Sequence, residues 1–238
     1  MNNNLKIVAL IPARSGSKGI PHKNIKGYHN LPLITHSINI AKKSSYITDI
    51  VVSTDSNEYK KIAEDNGAKC PFLRPSEISS DLSTDYEFIK HYVEWMQKND
   101  NENIPDLIVQ LRPTYPNRNI FDLNKCIQNM IENEEYSSLR TVIPYEKSPY
   151  KMYLTKDNIL KPLFEEVNGL NEPYNRCRQD LPTTYLHNGC IDVIRTSSFI
   201  KYNSITGPEI YAYIMDKEEV NDIDSLEDWE KSELKFHL

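Results

Sequence analysis

Arg14, Lys18 and Lys23 stand close together behind an apolar run, in the string Ala13-Arg14-Ser15-Gly16-Ser17-Lys18-Gly19, and Asn24 follows Lys23 directly. Glycines let backbone N–H groups come close to an anion, and the three cations supply the charge that a triphosphate needs in a site of low dielectric. The chemistry that suits this pattern is phosphate binding. It is neither of two common phosphate motifs, because it lacks both Gly-x-Gly-x-x-Gly and the Gly-Lys-Ser/Thr ending of a P-loop. A solvated loop between a strand and a helix has the same composition, so the pattern alone leaves both readings open.

Asp222 and Asp224 flank Ile223 near the other end of the chain. Alternation along a strand would put both carboxylates on one face, where they could meet one divalent ion. The same Asp-x-Asp-Ser, running into Leu-Glu-Asp-Trp, also suits a helix cap. Midway lies Arg112-Pro113-Thr114-Tyr115-Pro116-Asn117-Arg118. Its two prolines deny it helical geometry and hold it rigid, so Arg112 and Arg118 would be presented at a fixed place to a carboxylate or phosphate. The polar stretch 74–85, with Arg74, Ser83 and Asp85, reads on its own as a helix N-terminus with several possible caps.

These groups need a scaffold, and the apolar pattern supplies one. Ile7 to Ile11 form an unbroken apolar run ended by a proline, which predicts a buried strand over 6–12. Helical spacing follows over 32–41, then a strand over 49–55 and a helix over 57–66 closed by Gly67. Asp55, at a strand end, is expected to cap that helix. Further elements are a helix over 86–98, a strand over 106–111, a helix over 121–134, a strand over 138–143, a strand over 212–215 and a closing helix after a turn at 219–222. Strands alternating with helices point to an α/β fold with a mostly parallel sheet. Residues 152–176 break that rhythm with short apolar pieces between turn residues, as an excursion from the main sheet would.

Composition narrows the function. With 238 residues, the chain is long enough for one large α/β domain and short for two. A net charge of −6 excludes a general nucleic-acid binder, which needs a basic face, and makes one concentrated group of cations more telling. The apolar runs are far shorter than the roughly 20 residues that span a bilayer, and the first residues lack the pattern of a secretory signal, so a cytoplasmic protein without membrane contact is expected. Cys70, Cys126, Cys177 and Cys190 have no Cys-x-x-Cys spacing and are expected to stay reduced and uncatalytic. The six histidines show no metal-ligand spacing.

The string Ile11-Pro-Ala-Arg14-Ser-Gly-Ser-Lys18-Gly-Ile-Pro-His-Lys23-Asn24-Ile25 resembles the N-terminal signature of the acylneuraminate cytidylyltransferases, which make CMP-sialic acid and related compounds from CTP and a free nonulosonic acid. The resemblance implies a Rossmann-like nucleotidyltransferase fold in one domain, 1–238, whose central sheet is flanked by helices, with a small insertion at 145–187 that serves dimerisation and the sugar site. It further implies that Arg14, Ser15, Gly16, Lys18, Lys23 and Asn24 surround the CTP phosphates. Arg74, Ser83 and Asp85 fall where relatives hold cytosine and ribose, with Asp85 in place of a small hydroxyl residue.

Arg112-Pro113-Thr114-Tyr115-Pro116 resembles the family's loop at the sugar site, and Tyr115 replaces the usual serine, adding bulk where selectivity could reside. Lys151 matches a basic position near the acidic sugar. Arg178-Gln179-Asp-Leu-Pro and His187-Asn188-Gly189 resemble a second motif that faces the sugar, but Leu186 lies near the place of an arginine found in relatives. These departures point to an acceptor other than plain sialic acid. Relatives also bind Mg²⁺ through the pair that matches Asp222 and Asp224, and they are homodimers. The implied reaction is attack of a sugar hydroxyl on the α-phosphorus of CTP, with catalysis resting on alignment and charge cancellation by Arg14, Lys18, Lys23 and Mg²⁺. Rival readings are another nucleotide or acceptor on the same fold, and a non-catalytic nucleotide-binding regulator.

Overall fold

The apolar run near the N-terminus becomes strand β1, Ile7–Pro12, and takes a central place because residues on both its faces are apolar. The computed structural model describes residues 5–216 and 221–235. The expectations for residues 1–4, for Glu219 and Val220 in the turn before the closing helix, and for His237 lie outside the described residues. Five more strands join β1 in the main sheet: β2 (Asp49–Ser53), β3 (Leu107–Gln110), β4 (Ser138–Tyr145), β5 (Thr184–Arg195) and β6 (Ile210–Ile214). Their spatial order is β6-β4-β5-β3-β1-β2.

β1 runs parallel to β2 and β3, and β6 runs parallel to β4. β5 is antiparallel to both β3 and β4, so it alone opposes the common direction of this sheet. The expected α/β fold with a mostly parallel sheet is present. Helices α1 (Leu33–Lys43), α2 (Asn57–Asp65), α3 (Asp85–Asn99), α4 (Ile120–Glu132), α5 (Thr196–Tyr202) and α6 (Leu226–Lys235) surround it.

The period of two along β1 divides the core into two layers. Ile7, Ala9 and Ile11 pack with Ile34 and Ile38 of α1 and with Leu123 and Ile127 of α4. Val8 and Leu10 point the other way and pack with Phe88, Ile89 and Val93 of α3. Each of these buried side chains contributes on the order of 1.5–3 kcal/mol of transfer free energy. Gly67 ends α2 with φ of 80°, a conformation that glycine adopts without a Cβ penalty.

After β1 the chain goes to β2 on one side, and later to β3 on the other. Such a reversal opens a crevice beyond the carboxyl ends of the strands, where open α/β sheets bind ligands. Between β4 and β5 the chain leaves the sheet and makes two hairpins, one pairing Tyr153–Lys156 with Ile159–Pro162 and one pairing Glu166–Val167 with Leu170–Asn171. Both are closed by two residues of positive φ, Asp157-Asn158 and Asn168-Gly169, as tight hairpins prefer. Leu154, Ile159 and Leu160 on the first hairpin are each more than 60% exposed.

Candidate active site

A cleft of about 330 Å³ opens where β1 and β3 end, and its walls bring together Arg14, Lys18, Lys23 and Asn24 from the first loop. Arg74, Ser83 and Asp85 form another wall, Arg112 and Thr114 a third, and Asp224 closes the rim. Ten of the residues singled out from sequence therefore face one space, although they come from distant parts of the chain.

The first loop is held in shape by groups behind it. Buried Asn24 donates from Nδ2 to the Arg14 carbonyl at 2.9 Å. Asp55 accepts from both the amide and the hydroxyl of Ser15, each at 2.8 Å. Asp55 was expected to cap α2, but Ser56 does so by accepting from the Tyr59 amide, and Asp55 instead braces the loop. Ser15 thus spends its donors on the protein, and neither Ser15 nor Gly16 forms part of the cleft wall. A Cβ on Gly16 would meet nothing within 4 Å, whereas one on Gly19 would lie 2.6 Å from the Asp224 carbonyl oxygen. The glycine that close packing requires is therefore Gly19.

The two ends of the chain meet at Lys23. Its Nζ donates to the Ile223 carbonyl at 2.8 Å and lies 3.1 Å from Asp224 Oδ1. The Ile223 amide donates to the Thr114 carbonyl at 3.0 Å, and its side chain is buried with Ile20, Tyr28, Leu33 and Trp229. Asp222 and Asp224 do not lie in a strand, as expected from their alternation, but in a loop pinned on both sides through Ile223. The pinning preserves the alternation: Ile223 points inward and its two neighbours are exposed. Ser225 and Asp228 cap α6 reciprocally, so the helix makes no use of the Asp222 and Asp224 carboxylates.

The charges in this region are coupled. Asp81 bridges two cations of the loop, with Arg14 at 2.7 Å and Lys18 at 2.6 Å, and these contacts hold its carboxyl below the usual range. Asp222 is an exposed residue, yet protein crowding and then the like charge of Asp224 raise its pKa against a hydrogen bond from Thr114 and the nearby charge of Lys23. A divalent cation would relieve that repulsion. Among the described residues no three carboxylate, histidine or cysteine side chains cluster as a cage. Two carboxylates beside a cleft lined by three cations fit Mg²⁺, which keeps waters and takes phosphate oxygens along with one or two carboxylates.

Arg74 is buried, donates to the hydroxyl and carbonyl of Ser53, and lies over the Phe88 ring at 5.0 Å; burial pulls its pKa down to about 10. Ser83 accepts from the Ser80 amide, and Thr84 supplies the cap of α3. Arg112 is clamped: it donates to the Gly189 carbonyl at 2.7 Å, to Asp192 at 2.9 Å and to Asp85. Burial alone would lower its pKa, but the two carboxylates outweigh it and raise it. Arg118 is not presented to a ligand. It is buried and donates to the Cys190 and Tyr115 carbonyls and to Ser37, tying the loop to β5 and α1.

The other residues assigned to a sugar fall outside the cleft wall. The Tyr115 ring is buried and its hydroxyl donates to the Asn188 carbonyl, so its bulk fills the core beneath the loop. The Asn188 side chain accepts from Thr141 at 2.6 Å. His187 pairs with Asp192 at 2.8 Å. Lys151 donates to the Arg176 carbonyl within the excursion, and Arg178 and Gln179 lie exposed in a short turn of the same segment. Sequence reasoning misses Asp81 and Asp192 and misassigns Asp55, because their partners are visible only once the chain is folded.

This sheet, with its cleft at the strand ends, defines an α/β protein of the nucleotidyltransferase type. Its likeness to CMP:2-keto-3-deoxy-manno-octonic acid synthetase complexed with CTP has a TM-score of 0.68 at 16% identity, covering 96% of this chain and 97% of that one, and shows the shared fold. The sequence profile of the family described as Cytidylyltransferase matches residues 8–227, and the chain belongs to that family. It is 31% identical over 227 residues to N-acylneuraminate cytidylyltransferase of Escherichia coli, covering 94% of this chain but only 51% of that protein. The chain thus spans about half the length of that relative. It is 27% identical over 234 residues to pseudaminic acid cytidylyltransferase of Campylobacter jejuni, covering 98% of this chain and 97% of that protein.

Proposed function

We propose that this chain transfers CMP from CTP to an acidic nonulosonic sugar and releases pyrophosphate. The observation that carries the reading is the meeting of Lys23 with Asp224 at the rim of a cleft that also holds Arg14 and Lys18. A triphosphate laid in the cleft would take over the partners that Asp81 now satisfies, exchanging one carboxylate for a more highly charged anion. Buried Arg74, stacked on Phe88, offers a rigid wall for a base and ribose, together with Ser83 and Asp85.

The acceptor hydroxyl forms a bond to the α-phosphorus, the bond from that phosphorus to the β-phosphate oxygen breaks, and pyrophosphate leaves with both its electrons. The hydroxyl proton passes to solvent. Asp222 and Asp224 would hold Mg²⁺, which when bound offsets phosphate charge and orients the leaving group. Arg14, Lys18 and Lys23 hold the phosphates and oppose their charge, and no side chain becomes a covalent nucleophile.

The apolar side chains exposed on the hairpin at 153–162 support a homodimer, in which an apolar partner surface would cover them. Relatives named for sialic and for pseudaminic acid support a nonulosonic acid as acceptor. The test is pyrophosphate release by the purified protein with each of the four ribonucleoside triphosphates across a panel of nonulosonic acids. CTP with at least one acid should support turnover. Activity with another nucleotide in preference to CTP, or none with any acid, would overturn the proposal.

A further inference from the structure

Three cationic or titratable side chains surround buried Asp192, and only two of them reach it with a hydrogen bond. Arg112 donates to Oδ2 at 2.9 Å and His187 pairs with Oδ1 at 2.8 Å, so each carboxylate oxygen already has a close partner. Arg140 Nε lies 3.9 Å from Oδ1, within reach of charge but beyond a hydrogen bond. That Nε is buried without a hydrogen-bond partner. Its side chain is 30% exposed, so Arg140 as a whole is not sealed from outside.

The fold explains why Arg140 stands there. It is directly opposite Asp192 in the β4–β5 ladder, and Asp192 is directly opposite Gln110 in the β5–β3 ladder. Residues opposite one another share a face, so Arg140 is on the side of the sheet that carries Asp192. Asp192 also binds Arg112, a wall of the cleft. A polar strip therefore leads from the cleft across β5 to Arg140. Arg112 already holds two carboxylates and a carbonyl, and Arg178 lies out on the excursion.

We propose that Arg140 is the specificity residue that receives the carboxylate of the acceptor sugar. The inference rests on the acceptor class given under Proposed function. A guanidinium fork matches a carboxylate in a bidentate pair, and a lysine at the same place would keep charge without the fork.

The experiment compares wild type with Arg140→Gln and Arg140→Lys, using CTP and a nonulosonic acid either free or as its methyl ester. Wild type should prefer the free acid to the ester by tenfold or more in kcat/KM. Arg140→Gln should lose most of that preference, through a tenfold or greater rise in acceptor KM, while KM for CTP stays within twofold. Arg140→Lys should recover part of the preference, and thermal denaturation of each variant reports folding. A folded variant, Gln or Lys, that keeps the full preference for the acid would overturn the assignment, as would equal losses for CTP and acceptor. If Arg140→Gln does not fold, Arg140→Lys decides: unchanged acceptor KM and preference would make Arg140 a mere counter-ion to Asp192. Failure of wild type with every acid would overturn the functional reading and this inference together, whereas wild-type turnover with an unaltered variant overturns this inference alone.

Discussion

Lys23 Nζ and Asp224 Oδ1 lie 3.1 Å apart although 201 positions separate them in the chain. Lys23 also donates to the Ile223 carbonyl, so the lysine fixes backbone as well as charge at the cleft rim. The cationic first loop and the aspartate pair are thus one construction, and disturbing the contact between them should disturb catalysis before it disturbs the fold.

Gly19 and Gly16 separate these effects. A Cβ on Gly19 would stand 2.6 Å from the Asp224 carbonyl oxygen, which belongs to a pinned backbone and has little freedom to move. Gly19→Ala should cost about 1–3 kcal/mol in stability, the range for overpacking, and lower kcat/KM for CTP by tenfold or more. Gly16→Ala, which meets open space, should leave both within a factor of two. Steady-state kinetics and denaturant unfolding on the pair check this, and equal behaviour of the two variants would contradict it.

Asp81 occupies the two cations that a triphosphate needs. Removing its charge in Asp81→Asn should lower the apparent KM for CTP about two- to tenfold, since a bridging carboxylate no longer competes with phosphate for Arg14 and Lys18. A rise in KM would mean that Asp81 holds Arg14 in its binding position instead.

Asp192 is buried among Arg112, His187 and Arg140, and although burial alone would raise its pKa, these partners hold the carboxyl below its ordinary value of 3.8. A carboxylate depressed in the folded state contributes stability that is present above the unfolded pKa and lost as pH falls through the folded one. The contribution should therefore be complete at neutral pH and decline below about pH 4. Asp192→Asn should destabilise by about 3–5 kcal/mol at pH 7, since a buried carboxylate paired with half-buried Arg112 is lost, and the gap from wild type should shrink on acidification. Urea unfolding from pH 7 to pH 3 measures it.

The first hairpin of the excursion exposes Leu154, Ile159 and Leu160. If this surface joins two copies, sedimentation at micromolar concentration should give a dimer for wild type and a monomer for Leu160→Glu. A charge placed in an apolar interface has no partner and is costly to desolvate. A wild-type monomer would contradict the dimer.

The sheet and most helices were legible because their signals are local. Ile7 to Ile11 announce a buried strand, and Gly67 ends α2 where the apolar period stops. The cleft was legible where a residue's type already states its chemistry, as with Arg14, Lys23 and Asp224. What escaped was pairing. Asp55 looked like a helix cap until the fold brought Ser15 to it, and Arg118 looked like a ligand contact until its donors were seen to be used by Ser37 and Cys190. The alternation of Asp222 and Asp224 suits a strand and their sequence suits a helix cap, yet their order comes from the Ile223 amide on Thr114 and the Lys23 ammonium on the Ile223 carbonyl. Arg140 carried no signal, since one arginine within a strand pattern reads as an ordinary solvent-facing position.

The central claim is that the loop cations and the aspartate pair act on one triphosphate, and Asp224→Asn tests it most directly. Pyrophosphate release from CTP and an accepted sugar acid should fall by roughly 10²–10³, the range for losing one charge-stabilising group, while the circular dichroism spectrum stays that of wild type. Release at the wild-type rate from the folded variant would contradict the claim.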